Sequence, residues 1–264
     1  MKKFLVIGNP IGHSLSPEIH NYWLKKNDIV GIYEKKELKS DDLRDLILKV
    51  KKDEIVGLNV TVPFKKEIIP FLDELSLEAE QTQSVNTICL ENGKIKGHNT
   101  DVGGFELAIK DVKYEVAEKK ILIIGAGGVV PSIITALNKM KAAHIMLCNR
   151  TKNKAEKLKN IFSDLEIVEW GEVPDFNMVI NATSSGLKMD DNLNLDFSKI
   201  EKGNFFYDVI YNPKETNFLK KGKKLGGKTE NGKKMFIYQA ALAFNIWHGV
   251  YPKIDNNVNE LLDK

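Results

Sequence analysis

The sequence predicts an α/β protein made of two α/β domains, an N-terminal one with a mostly parallel sheet and a C-terminal one with a doubly wound sheet. Three observations lead there. Strand-like and helix-like segments alternate along nearly the whole chain. The strands of the second half are almost entirely apolar, as strands covered by helices on both faces must be. One of those strands runs directly into a glycine turn and then a helix. A length of 264 residues suits one large domain or two modest ones.

The elements follow in order. "FLVIGNP", residues 4–10, is a first strand ended by Gly-Asn-Pro. "SPEIHNYWLKK" is a helix with Ser16 as its N-cap and Pro17 at the first helical position. "GIYEKKEL" is a second strand, and "SDDLRDLILKVKK" an amphipathic helix capped by Ser40. A β run from Ile55 to Val62 stops at Pro63. "PFLDELSLEAEQTQ" reads as a helical region, and "NTICLENGKIKGHNTD" as a hairpin turning on Asn92-Gly93. The domain junction is expected within Thr100–Phe105, where Gly103-Gly104 is a hinge candidate. The helix "VGGFELAIKDV" opens the second half, followed by "ILIIGAGGVVPSIITALNKM", "HIMLCNR", "NKAEKLKNIF", "EIVEW", "MVINAT" and "NFFYDVIY". The last long helix, "MFIYQAALAFNIWHGVY", is apolar around most of its circumference and is expected to be buried. The domains are thus drawn as 1–101, 102–236, and a segment 237–264 that returns to the first domain.

Composition excludes several classes. The 39 basic and 36 acidic side chains leave a net charge of +3, too even for a nucleic-acid or membrane-surface binder. No segment approaches the roughly 20 apolar residues of a membrane span. The brief apolar run after Met1 is a strand rather than a leader, so a soluble cytoplasmic protein is expected. Cys89 and Cys148 read as reduced core residues. His13, His20, His98, His144 and His248 are dispersed, and no metal-ligand spacing is visible, so no metal is expected.

The glycine turn "GAGG" calls for a dinucleotide. Gly125 permits the tight turn, and Gly127 lets backbone approach a pyrophosphate seated on the helix N-terminus. Val130 stands at the third motif position, so an ordinary βα turn is the competing reading. The end of the next strand separates the two. Where an NAD site places a carboxylate for the ribose, this chain has Asn149, Arg150 and Thr151, with Lys154 nearby. A guanidinium attracts a 2′-phosphate that a carboxylate would repel, so the cofactor is read as NADP in a Rossmann-type domain. "NATSSG", Asn181–Gly186, lies at the carboxyl end of a later strand, the edge where such sheets bind ligands.

A second constellation lies in the first half. The β run carries Asn59 and Thr61 on one face and is followed at once by Lys65 and Lys66. An amide, a hydroxyl and an ammonium at a strand end suit a small polar ligand. An ammonium beside a carbonyl oxygen can stabilise the charge left by hydride addition and supply the proton.

The ordered set "IGHSLSP", "NVTVPFK", "VNT", "GHNTD", "GAGG", "NRT", "NATSSG", "YDVIYNPKET" and "MFIYQAALAFNIWHG" resembles the shikimate dehydrogenase family over nearly the whole chain. The resemblance implies NADPH-dependent, reversible reduction of 3-dehydroshikimate to shikimate in aromatic amino acid biosynthesis, with two domains enclosing a cleft. It implies that Ser14 and Ser16 bind the substrate carboxylate, that Thr61, Asn86, Asp101 and Gln239 surround the ring hydroxyls with Lys65, and that Tyr211 takes a substrate-side position. Lys65 and Asp101 are taken as an undivided acid–base pair, and Lys66 as a surface residue. On the cofactor side it implies Gly125, Ala126, Gly127, Gly128 and Val129 at the diphosphate and Asn149, Arg150 and Thr151 at the adenosine phosphate, to which the nearby Lys154 is added as a further cofactor contact. Thr183, Ser184, Val209, Gly232 and Met235 complete the cofactor contacts, Met235 near the nicotinamide. Two departures from the family pattern stand out, "VVPS" after the glycine turn and "GKKM" at Gly232–Met235. A monomer or homodimer is expected. Quinate in place of shikimate, NAD in place of NADP, and a nucleotide sensor without turnover are the alternatives.

Overall fold

The computed structural model describes residues 1–188, 191–198 and 202–263. In chain order the elements are β1 (Lys2–Gly8), α1 (Ser16–Lys26), β2 (Gly31–Glu37), α2 (Leu43–Lys51), β3 (Gly57–Val60), α3 (Phe64–Glu67), β4 (Glu74–Leu75), α4 (Leu77–Thr82), β5 (Thr87–Glu91) and β6 (Lys94–His98). There follow α5 (Thr100–Asp111), β7 (Lys120–Ile124), α6 (Val130–Lys139), β8 (His144–Cys148), α7 (Lys152–Lys159), β9 (Glu166–Val168), β10 (Met178–Asn181) and β11 (Phe205–Asp208). The last are α8 (Asn217–Lys224), β12 (Lys228–Glu230), α9 (Lys233–His248) and α10 (Asn256–Leu261). The chain divides into two compact units, Met1–Phe105 with Phe236–Lys264, and Glu106–Met235.

The first unit holds a six-stranded sheet of order β2-β1-β3-β5-β6-β4. The pairs β1–β2, β1–β3 and β4–β6 are parallel, while β5 runs antiparallel to β3 and β6. Period-2 alternation along β1 separates two cores. Leu5 and Ile7 join the α2 side with Leu46, Ile47 and Val50. Phe4 and Val6 join α1 and α9 with Ile19, Trp23, Ile237 and Phe244. Asn92 (φ 51°) and Gly93 (φ 78°) are both left-handed, the geometry a two-residue hairpin turn between β5 and β6 requires.

The second unit holds a wholly parallel sheet of order β12-β11-β10-β7-β8-β9. Counted from β7 this is the 3-2-1-4-5-6 order of a dinucleotide-binding sheet, with the topological switch between β7 and β10. Ile121, Leu122, Ile123 and Ile124 are all fully buried, so β7 is covered on both faces.

Several local expectations need correction. Ser16 is the first residue of α1 rather than its cap; the N-cap is Leu15, which makes no side-chain capping bond, and Pro17 falls inside the first turn. Ser40 opens a short 3₁₀ turn ahead of α2, and its hydroxyl donates to Glu67 instead. The expected helix over 70–83 breaks into a 3₁₀ turn, the short strand β4 and α4, which Ser76 caps. The strand at 55–62 shortens to β3, since Thr61 begins the turn into α3. Gly103 and Gly104 sit inside α5, where they permit close packing on α9. A Cβ on Gly104 would lie 2.8 Å from Cβ of Gln239 and 2.9 Å from its backbone nitrogen.

Candidate active site

In the first unit the chain leaves β3 at Val60, turns at Thr61–Pro63 and enters α3, which places Lys65 one residue inside a short helix. The turn is held by Phe64 N–H donating to Thr61 O, and Lys65 O accepts from Val85 N–H. Lys65 Nζ donates to Asp101 Oδ2 at 2.6 Å, and only 12% and 9% of the two side chains are exposed. An ion pair so shielded keeps most of its Coulomb attraction. Lys66 is exposed.

Asp101 stands in the first turn of α5, where the helix dipole favours a carboxylate. It does not cap the helix. Asn99 does: its Oδ1 accepts from Asp101 N–H (3.0 Å) and Val102 N–H (3.3 Å). Its Nδ2 donates to Thr82 Oγ1 and Ser84 O, which ties the start of α5 to the end of α4. Asp101 Oδ1 accepts from Asn86 Nδ2 at 3.0 Å. That amide also donates to Thr100 Oγ1 (2.9 Å) and, at 3.4 Å, meets Gln239 Oε1. Gln239 Nε2 is engaged by Phe236 O. Lys65, Asn86, Asp101 and Gln239 therefore form one hydrogen-bonded cluster.

Asn59 is buried behind this cluster. It donates to Asn86 O (2.9 Å) and Thr87 Oγ1 (3.0 Å) and accepts from Tyr33 OH (2.7 Å). Tyr33 is buried, and a hydrogen bond with Ser16 partly offsets the rise that burial imposes on its pKa. Ser14 Oγ lies 3.1 Å from Ser16 Oγ, and Ser16 N–H donates to Ser14 Oγ. Tyr33 is thus joined to Asn86 through Asn59, a link that pattern reading missed. The strand alternation that put Asn59 and Thr61 on one face was the available signal. Thr61 is half-buried at the strand end, its N–H bonded to Ile7 O, and His13 is an exposed loop residue.

In the second unit Gly125 has φ +107°, and a Cβ there would meet Thr183 Cγ2 at 2.8 Å and Ala182 O at 2.9 Å. No other residue fits both constraints. Gly127 is exposed, with Ala182 O 3.5 Å from where a Cβ would stand, so its surface is open to a ligand. Ala126, Gly128 and Val129 are half-buried in the same turn. Val129, the N-cap of α6, makes no side-chain capping bond; Pro131 stands in the first turn, and Val130 N–H donates to Gly127 O at 3.1 Å. At the end of β8, Asn149 Nδ2 bonds Thr151 O, while Arg150 and Lys154 are exposed; Arg150 has no ion-pair partner among the described residues. Thr183 donates to Asn181 Oδ1 (2.7 Å) and accepts from Ser185 N–H, and Ser184 is exposed at the tip. These residues fit NADP: an open glycine turn, a helix start without a side-chain cap and a free guanidinium at the adjacent strand end.

Asp208 organises this edge. It accepts from Asn181 Nδ2, Thr216 Oγ1 and Ile210 N–H, yet burial pushes its pKa up to about 6. Val209 is half-buried, and a Cβ on Gly232 would stand 2.0 Å from its carbonyl oxygen. Met235 is buried and Tyr211 half-buried in this unit. In the "GKKM" departure, Lys234 pairs with Asp111 at 2.6 Å, so its charge is taken up locally. Cys89 and Cys148 are free and buried. The hairpin brings the ligand-type atoms of Cys89, Glu91 and His98 within 4.8 Å of one another, a grouping that sequence spacing did not show. No helix among the described residues is long and apolar enough to cross a membrane.

Comparison with known proteins bears on the same residues. Residues 6–88 match the family described as shikimate dehydrogenase substrate binding domain, and residues 106–215 the family described as shikimate / quinate 5-dehydrogenase. A shikimate dehydrogenase (NADP(+)) of Pelagibacter ubique is 58% identical over 262 residues, covering 99% of both chains. A solved shikimate dehydrogenase in complex with NADP+ superposes with a TM-score of 0.92 at 35% identity, covering 100% of this chain and 95% of that one. The Thermus thermophilus shikimate 5-dehydrogenase, solved with NADP(H) and shikimate, has a TM-score of 0.90 at 30% identity, covering 99% and 98%. With both halves matched in order and relatives aligned end to end, this chain belongs to the shikimate dehydrogenase family.

Proposed function

We propose that this protein catalyses the reversible, NADPH-dependent reduction of 3-dehydroshikimate to shikimate, a step of the shikimate pathway. The observation that carries the reading is the shielded Lys65–Asp101 pair at 2.6 Å, whose second carboxylate oxygen is bonded by Asn86. When bound, NADPH supplies the hydride. Lys65 Nζ stabilises the negative charge that develops on the substrate oxygen and passes it a proton. Asp101 holds the ammonium in place. Asn86 fixes the carboxylate from the other side, and Asn86 and Gln239 offer amide groups to ring hydroxyls. Ser14 and Ser16 present adjacent hydroxyls for the substrate carboxylate, and Thr61 and Tyr211 are further substrate contacts in this reading. Gly125–Val129, Asn149–Thr151, Lys154, Thr183, Ser184, Val209, Gly232 and Met235 are proposed to hold NADP.

The experiment is a kinetic matrix with shikimate and quinate against NADP⁺ and NAD⁺, read at the reduced-nicotinamide absorbance. Shikimate with NADP⁺ should give the highest kcat/KM. Folded protein that turns over none of the four combinations refutes the reading, and a preference for quinate or NAD⁺ replaces the substrate or cofactor named here.

A further inference from the structure

We propose that Cys89, Glu91 and His98 form a binding site for a divalent cation of the zinc class on the β5–β6 hairpin. Cys89 and Glu91 lie two residues apart on β5 and so share a face, and His98 is paired with Thr87 across the hairpin on that same face. The thiol sulfur lies 3.5 Å from Glu91 Oε1 and 4.0 Å from His98 Nε2, and those two atoms lie 2.8 Å apart. A tetrahedral zinc with bonds of about 2.0–2.3 Å needs ligand atoms roughly 3.3–3.6 Å apart. The two sulfur edges already fall near that range. The Glu91–His98 edge opens by about half an ångström as the cation takes the place of the hydrogen bond.

The donor set is selective. Thiolate and imidazole with one carboxylate suit zinc and exclude magnesium or calcium, which take oxygen shells. One thiolate and one carboxylate neutralise the dication. Lys96 Nζ holds the other carboxylate oxygen of Glu91 at 3.1 Å, which orients Oε1 toward the sulfur and the imidazole. The surroundings also allow entry. Cys89 is 5% exposed at the floor, while Glu91 and His98 are only half-buried, which leaves a path and a fourth position for water. A surface ion pair accounts for Glu91 with His98 and Lys96, but not for a buried thiol aimed at both.

The test uses the full chain with Co²⁺ as the spectroscopic probe, followed by displacement with Zn²⁺. One equivalent of Co²⁺ should give a thiolate-to-metal charge-transfer band and tetrahedral visible bands, both lost on adding Zn²⁺. Cys89→Ser should abolish the charge-transfer band, Cys148→Ser should leave it, and His98→Gln should weaken binding on the order of 10–100-fold. Because Cys89 is buried, Glu91→Gln at the rim provides a second variant, and it too should weaken binding. Zn²⁺ should raise Tm in the parent protein but not in His98→Gln. No charge-transfer band in folded parent protein, or the same band in Cys89→Ser, overturns the proposal.

Discussion

At the scale of single residues, the proposed chemistry rests on two cations with opposite surroundings. Lys65 is shielded and paired, so its removal tests catalysis with little change of shape. Lys65→Met should lower kcat about 10²–10⁴-fold, the usual worth of a positioned proton donor, while a thermal melt still shows a cooperative fold. An unchanged kcat would remove Lys65 from the mechanism. Arg150 is exposed, and its proposed role depends on one phosphate. Charge-assisted hydrogen bonds contribute about 1.5–3 kcal/mol, so Arg150→Ala should raise the KM for NADP⁺ roughly 10–100-fold. The KM for NAD⁺ should barely move; equal losses for both cofactors would dismiss the 2′-phosphate argument. Asn99 shows what residue-level reading misses. Asp101 had the right type and place for a helix cap, but an Asn two residues earlier does the capping and leaves the carboxylate to Lys65 and Asn86.

At the scale of elements, α5 and α9 meet within the first unit through glycine. Gly104 is there because the backbone of Gln239 passes where a Cβ would stand. Alanine would improve helix propensity by about 1 kcal/mol, yet overpacking against backbone costs about 1–3 kcal/mol. Gly104→Ala should therefore lower the urea midpoint and raise the KM for shikimate, since Gln239 must shift. A midpoint at or above that of the parent protein would show that the close packing is not needed. The same scale explains the elements misread from sequence. Residues 70–83 read as one helical region, but Pro70, the pairing of β4 with β6 and the Ser76 cap divide the segment into three short pieces. Tertiary pairing outweighs a local helical tendency over so few residues.

At the scale of the whole molecule, acid stability should be governed in part by a buried histidine. His20 is 1% exposed, stacks on Tyr33 at 4.3 Å and, among the described residues, has no hydrogen-bond partner on either ring nitrogen. Burial, and secondarily the charge of His248, lower its pKa to about 3. The unfolded chain takes up that proton near pH 6.5, the folded protein only near pH 3. Stability is therefore full above pH 6.5 and falls as the pH drops, by on the order of 3 kcal/mol at pH 4. His248, itself lowered to about 4 by burial, adds to the same slope. His20→Phe should make urea stability between pH 6.5 and 4 clearly less steep without flattening it. An identical slope in the variant would exclude His20 as its source.

The chain by itself determined whatever depends on short-range chemistry. Apolar runs located most strands, Asn92-Gly93 the hairpin, and Gly125 the turn whose positive φ excludes a side chain. The resemblance to the family was legible because its motifs are contiguous runs. Tertiary structure alone decided which distant groups meet. Asp101 reaches Lys65 across 36 residues, and Gln239 reaches Asn86 across 153. Tyr33 reaches Asn59 across 26 residues, and strand register sets His98 beside Cys89. These meetings follow from the burial of whole sheet faces and the register it selects, a balance summed over many residues that no local window contains.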